Sequence, residues 1–469
     1  MKRLQTLYPY LLAVYPVLAL YNINIDQLTP AELILPLTIA LAITFILSNI
    51  ALMHLKDREK SALVLSVFWA LFFSYGYVFD WITAKGISDN IVRQNELCLA
   101  ALYFLLFIAF YYAAHKSRRW IHAASILASS VSWILILSVL SCLGLQALNF
   151  LPPIKAAKGQ IGHAGTSIHG QSSRIGYSPD IYYLVIDEYA GQEQIKNVYS
   201  YDNSPFVKFL TEKGFIVTKK SRVRTSQTAY SLAGSLNMRH PGQNDNPYEM
   251  IRTNQVAREL RSRGYIYIHF GSWWSATAAN NNADINRNDH LLGSEFTGLL
   301  ARGSFFRRLL NSEMFARSRT SGAFDEIAKI PEMKTDQPKF IFAHIISPHA
   351  PFVFGSNGEE IGAADKNDYS NRALYLGQYI YITKRTEDLV NKILQRSEKP
   401  PVIVIQSDHG VRVHPGIGIN SGYEHRIFNA YYLPGEKKPQ VWNSISPVNT
   451  FRMIFNYYFR TKYRFVDDA

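Results

Sequence analysis

The chain has 469 residues, 48% of them hydrophobic, and carries 49 Lys and Arg against 36 Asp and Glu, a formal net charge of +13. That length leaves room for more than one domain. The two cysteines, Cys98 and Cys142, both fall in apolar stretches, which excludes a disulfide framework, a thiol nucleophile or a cysteine-based metal site in the rest of the chain.

Residues 1–150 hold five long apolar runs, near 6–22, 30–54, 61–83, 95–114 and 122–148. Each approaches the ~20 residues a helix needs to cross a bilayer. The second, AELILPLTIALAITFILSNIALMHL, is the clearest; the first is the weakest, a short apolar core between polar residues. A cleaved signal peptide would explain the first run alone, not the four that follow. Lys2, Arg3, Lys56, Arg58, Lys60, Lys116, Arg118 and Arg119 lie in alternate connections, while the others hold only Lys85 and Arg93. The positive-inside rule then places the N-terminus in the cytoplasm, and five crossings deliver everything after residue 150 to the periplasmic or extracellular side of the inner or plasma membrane. The expected organisation is a transmembrane domain over 1–150, a linker over 151–179 and an extracytoplasmic domain over 180–469.

The linker is rich in Gly, Ser and Lys and lacks hydrophobic periodicity. Beyond residue 150 the chain carries 39 basic and 29 acidic residues, a net of +10. A basic ectodomain beside a bilayer points to anionic partners, such as phospholipid headgroups or a phosphate-bearing glycan. The alternative is an ordinary solvated basic surface. Nucleic acid, which charge alone would allow, is argued against by the membrane domain.

From residue 181 short apolar runs alternate with helix-like stretches. The runs are IYYLVID, GFIVT, GYIYIHFGS, KFIFAHIIS and PVIVIQSD; between them lie NSPFVKFLTEKG, NQVARELRSRG and LYLGQYIYITKRTEDLVNKILQRS. This alternation predicts one α/β domain with a largely parallel sheet. In such sheets ligands collect at the carboxyl ends of the strands.

Three strand ends carry groups suited to a divalent metal. The first run ends in Asp187-Glu188, a later one in Ser347-Pro348-His349 with His344 inside it, and the last in Asp408-His409. Carboxylate oxygen with imidazole nitrogen suits zinc, with manganese the alternative. Taken singly, each has an ordinary explanation: Asp187 as a helix cap, His349 bracing a turn between prolines, His344 in the core. The stretch RTSQTAYSLAGSLNM, 224–238, suits a loop leading into a tightly packed helix. Thr228, near that helix start, is either an N-cap or a hydroxyl nucleophile activated by a metal and aided by helix amides.

The order of Asp187, Thr228 in QTAYSLAGSLN, SPHAPF and SDHG resembles the alkaline phosphatase/sulfatase superfamily. Membrane spans followed by such an ectodomain are similar to the lipoteichoic acid synthases and lipid A phosphoethanolamine transferases. The resemblance implies an alkaline phosphatase-like fold. It implies Asp187, Thr228, Asp408 and His409 as metal ligands, with Thr228 also the nucleophile that is transiently phosphorylated. Glu188 is implied as a fallback ligand and His349 as a neighbour of the donor phosphate. A further histidine expected after SDHG is assigned to His425 in preference to His414. Sulfatases use a modified Cys or Ser in a Cys/Ser-x-Pro-x-Arg motif, absent from this chain, so sulfate ester hydrolysis is disfavoured. The disulfides that the phosphoethanolamine transferases carry around the nucleophile are absent too. The implied activity is transfer of a phospholipid-derived phosphate headgroup from a membrane lipid donor to an envelope glycan or lipid acceptor. The alternatives are a phosphodiesterase or phosphatase using water, and a non-catalytic envelope scaffold.

Overall fold

A computed structural model describes residues 6–83, 89–150, 178–288, 295–308, 312–362, 366–411, 422–435 and 439–468. The linker expected over 151–179 lies, up to residue 177, outside the described residues, as does His414. In chain order the helices and strands are α1 (Tyr8–Ile23), α2 (Ala31–Leu55), α3 (Arg58–Thr83), α4 (Asp89–Lys116), α5 (Ile121–Phe150), β1 (Ile181–Ile186), α6 (Gln192–Tyr199) and α7 (Ser204–Glu212). There follow β2 (Ile216–Val217), α8 (Thr228–Asn237), α9 (Pro247–Arg252), α10 (Gln255–Ser262), β3 (Ile266–Phe270), α11 (Ser275–Ala278), β4 (Ile285–Arg287) and α12 (Glu295–Gly303). The last are α13 (Ser312–Ile327), β5 (Lys339–Ile345), α14 (Arg372–Arg396), β6 (Val402–Ser407), β7 (Asn429–Tyr432) and α15 (Pro447–Phe459). The chain divides into two units, residues 1–173 with 296–311, and residues 174–295 with 312–469.

In the first unit, four helices among the described residues are long and apolar enough to cross a membrane: α2, α3, α4 and α5. The expectation of five spans is corrected on α1. Its 16 residues rise about 24 Å at 1.5 Å each, short of the ~30 Å hydrocarbon core. Asn22, Asn24 and Asp26 end its apolar stretch. The other helices expose Phe45, Ile46, Leu105, Leu127 and Ile134, a surface that suits lipid rather than water. At one end Arg118 pairs with Asp57 at 2.7 Å and Lys60 Nζ donates to the His115 carbonyl at 2.8 Å. These contacts bring the α2–α3 and α4–α5 turns, both rich in basic residues, to the same end of the bundle. Residues 296–308 attach at the far end of α3. There Arg307 pairs with Asp80 at 3.1 Å, and the Phe305 and Phe306 rings meet Tyr75 and Phe72. Gly76 allows this approach, because a Cβ there would stand 2.0 Å from the Arg302 carbonyl oxygen.

In the second unit a seven-stranded sheet runs β2-β7-β6-β1-β5-β3-β4. Strands β6, β1, β5, β3 and β4 are parallel; β7 is antiparallel to β6, and β2 to β7. All six residues of β1 are buried, which is what helices on both faces of a parallel sheet require. The two-residue period of a strand divides them between two cores. Tyr182, Leu184 and Ile186 join Ile341, Ile403, Ile405 and the α14 residues Tyr379, Ile382 and Val390. Ile181, Tyr183 and Val185 join Phe340, Phe342, Val402, Val404 and the α8 and α15 residues Leu232, Leu236, Phe451 and Phe455. Each fully buried aliphatic side chain contributes about 1.5–3 kcal/mol, so these two layers hold the central strand ends in fixed register.

Candidate metal centre and active site

Register decides what meets at the carboxyl edge. Ile186 lies opposite both Ile345 and Ser407. One residue further, Asp187 and Asp408 therefore stand side by side, on strands ~4.8 Å apart. By parity both side chains point to the α8 face, as does His344, which lies opposite Val185. The ligand atoms of Asp187, His344 and Asp408 all fall within 4.8 Å of one another, and all three residues are buried.

His409 and Thr228 complete the group. His409 Nε2 lies 3.6 Å from Asp187 Oδ1, 3.4 Å from Asp408 Oδ2 and 3.3 Å from Thr228 Oγ1. His409 Nδ1 faces the Gly410 carbonyl at 2.8 Å. A carbonyl only accepts, so Nδ1 carries the proton and Nε2 presents its lone pair to the cluster when the ring is neutral. His344 Nδ1 meets the Thr277 hydroxyl at 3.0 Å, and its Nε2 lies 3.3 Å from Asp187 Oδ2. Gly410 is required: a Cβ there would come within 2.2 Å of the Tyr423 carbonyl oxygen.

Thr228 opens α8, whose N-cap is Gln227, so Thr228 is not the cap. The first amides of a helix have no partner within it, and these sit beside the Thr228 hydroxyl. Ser231 Oγ, one turn on, donates to the Asp408 carbonyl at 2.6 Å and pins the helix start to the end of β6.

Glu188 is fully buried with φ at 59°, a left-handed conformation that costs a non-glycine residue about 1–2 kcal/mol. Three bonds hold it. Its amide donates to Asp408 Oδ1 at 3.0 Å, its carbonyl accepts from Tyr375 Oη at 2.9 Å, and its Oε2 accepts from Tyr369 Oη at 2.5 Å. Glu188 thereby orients Asp408 from behind.

Asp187 Oδ1 and Asp408 Oδ2 are buried and accept no hydrogen bond among the described residues. Leaving a buried carboxylate oxygen so is costly unless a cation serves it. Zinc bound at ~2.0–2.2 Å in a tetrahedron separates its ligand atoms by about 3.3–3.6 Å, the spacing found around His409 Nε2 and between His344 and Asp187. The oxygen-and-nitrogen donor set fits zinc or manganese. Burial would raise the Asp187 carboxyl, but the charges of His349, His344 and His409 outweigh it and hold the group below the usual carboxylate range. Burial would lower His409, but Asp408, Asp187 and Glu188 outweigh it and raise the ring above its ordinary value.

Of the residues singled out in the sequence, Asp187, Thr228, Asp408 and His409 come together, Glu188 braces them, and His349 is close enough for its charge to act on Asp187. His425 places Nδ1 on the Val223 carbonyl at 3.0 Å and Nε2 at 3.7 Å from Glu424, whose carbonyl accepts from the Gly410 amide at 2.9 Å. His344, expected as a core residue, is buried but belongs to the cluster. The available signal was its position in the strand pattern, which puts it on the same face as Asp187.

Fold and site define an α/β enzyme of the sulfatase-like type, with a carboxylate–imidazole centre at the ends of parallel strands. The chain belongs to the Sulfatase family, which it matches over residues 179–452, more than half of its length. Similar solved structures include the C-terminal periplasmic domain of EcEptC from Escherichia coli in complex with Zn, at 14% identity, over 60% of this chain and 82% of that one, TM-score 0.42. Another is the C-terminal periplasmic domain of phosphoethanolamine transferase EptC from Campylobacter jejuni, at 12% identity, over 60% and 90%, TM-score 0.39. A third is the lipoteichoic acid synthase LtaP from Listeria monocytogenes, at 12% identity, over 59% and 71%, TM-score 0.40. No curated protein matches the chain.

Proposed function

We propose that the chain is a metal-dependent phosphotransferase that moves a phosphate headgroup from a membrane lipid to an envelope acceptor through a phosphothreonine at Thr228. The observation that carries this is the Thr228 hydroxyl, 3.3 Å from His409 Nε2, beside two buried carboxylate oxygens without hydrogen bonds. Asp187, Asp408, His409 and Thr228 would hold the metal, zinc or manganese, with His344 an added donor. The bound ion would supply Lewis-acid stabilisation of the phosphoryl oxygens and favour the alkoxide of Thr228.

Thr228 Oγ forms a bond to phosphorus as the phosphorus–oxygen bond to diacylglycerol breaks, and the hydroxyl proton leaves with the released alcohol. In the second step an acceptor hydroxyl replaces Thr228 on phosphorus and returns its proton to Oγ. The α8 amides face the charge that develops on the equatorial oxygens. His349, which acts on Asp187 through its charge, adds positive potential near the donor phosphate. With the basic α2–α3 and α4–α5 turns in the cytoplasm, the residues after α5 lie outside, whatever path α1 takes. A lipid donor then keeps its acyl tails in the bilayer while its headgroup reacts.

Incubation of the purified protein with headgroup-labelled phospholipid and metal tests this. Wild type releases diacylglycerol and Thr228→Ala does not; equal release by both would remove Thr228 from the chemistry. Water as acceptor gives the same first step, and free labelled headgroup phosphate in the medium distinguishes a hydrolase.

A further inference from the structure

The segment that leads into Thr228, KKSRVRTSQT, raises a second question. Lys219, Lys220, Arg222 and Arg224 are all exposed, while Ser221 and Val223 between them are buried. Among the described residues none of these four side chains has an ion-pair or hydrogen-bond partner. Several other arginines of the unit are paired, among them Arg239 with Asp245 at 2.6 Å, Arg261 with Asp284 at 2.7 Å, Arg385 with Asp325 at 2.6 Å and Arg396 with Glu332 at 2.8 Å. A ridge of unmatched cations therefore adjoins the proposed nucleophile.

The ridge borders a cavity of about 230 Å³ whose walls include Arg222, Arg224, Tyr230, Gly234, His240 and Ser446. Its floor is the face of α8 beside the one that carries Thr228. The start of α15, a helix of 13 residues, closes another side, and a helix N-terminus favours anions. Asp468 already takes the Ser446 amide, at 2.8 Å. Ser446, 1% exposed, lines the cavity as well, and its side chain sits against Asp468. Burial, and after it the charges of Arg224 and Arg452, push His240 below the ordinary histidine value.

We propose that this cavity is an anion subsite for a second phosphate group, carried by the acceptor or by the lipid donor, held by the Arg222 and Arg224 guanidinia. Guanidinium groups match phosphate oxygens in paired geometry, and Thr228 and Ser231 are only about 4.5 Å apart along the α8 axis. A substrate reacting at Thr228 thus reaches the subsite if it bears two phosphates a few bonds apart. The substrate identity rests on the proposed transfer; the anion site does not.

The test uses the full chain in phosphatidylcholine nanodiscs, treated with chelator so that phosphate has no bound metal to ligate. Inorganic phosphate is titrated calorimetrically. Wild type and Thr228→Ala bind it alike, whereas Arg222→Gln/Arg224→Gln loses about tenfold or more in affinity, the scale of lost charge-assisted hydrogen bonds. Exposed Arg258, on α10, serves as control, and Arg258→Gln leaves binding unchanged. Anionic phosphatidylglycerol in the disc competes with phosphate if the group comes from a lipid headgroup and does not if it comes from a soluble acceptor; either supports the subsite. No saturable binding by wild type, or equal binding by the double variant, overturns it. Loss of lipid turnover in Thr228→Ala is scored separately, so the transferase proposal and the subsite fail independently.

Discussion

Tyr375→Phe probes the link between fold and site at a distance from any proposed ligand. The Tyr375 hydroxyl, fully buried, donates to the Glu188 carbonyl at 2.9 Å and accepts from the Ala190 amide at 3.2 Å. Removing one oxygen deletes both bonds without changing the packing of the ring. Two buried backbone groups that lose a partner cost about 2–4 kcal/mol together. A domain of this size shifts its melting temperature by about 2–4 °C per kcal/mol, so unfolding followed by fluorescence of Trp273, Trp274 and Trp442 should move down by roughly 5–15 °C. The loss also loosens Glu188 from its left-handed conformation and frees its amide from Asp408. Zinc affinity, measured by chelator competition below the new melting temperature, should fall by about tenfold or more, as for other residues that orient a ligand from behind. If Tyr375→Phe melts with wild type and binds zinc equally, Glu188 is not a brace and the account of its backbone conformation is wrong.

Three further outcomes follow from the same geometry. His344→Ala should weaken zinc binding by at least about tenfold, and His425→Ala should leave it within error; the reverse ranking in chelator competition would restore His425 to the centre. Metal affinity should fall as pH falls, because binding requires neutral His409 and its raised pKa lets protons compete from above the ordinary value of 6.5. Calorimetry in buffers of different ionisation enthalpy should show a proton released on binding, and no buffer dependence would contradict this. In metal-free protein the same raised pKa has the opposite sign. Its stabilisation is complete below about 6.5 and is lost as pH rises through the folded-state value, so chelated protein should melt lower at alkaline pH while metal-loaded protein does not.

Much of the fold is written locally. The runs at 181–187, 264–272, 339–347 and 401–408 became the central strands because continuous β-branched and aromatic residues suit a sheet buried on both faces. The short β4 and β7 were not foreseen, since INR carries no apolar signal and NAYY is too short to separate from a turn. Asp187, Thr228, Asp408 and His409 were legible from residue type and motif order. His344 was not, because a histidine inside an apolar strand reads as core until register shows which face it shares. The span count failed at α1 for a related reason: polarity sets the end of an apolar helix, but only the built helix shows that 16 residues remain. The attachment of residues 296–308 at the end of α3 depends on Asp80 and Gly76, more than 200 positions away, and no local pattern announces it.

The central claim is that Thr228 accepts the donated group covalently. Purified protein, loaded with zinc or manganese and incubated with membrane phospholipids, should gain the mass of one phosphate-bearing headgroup, and fragmentation should locate that mass on Thr228. An unchanged mass with metal bound and lipid consumed, or an adduct on another residue, would contradict it.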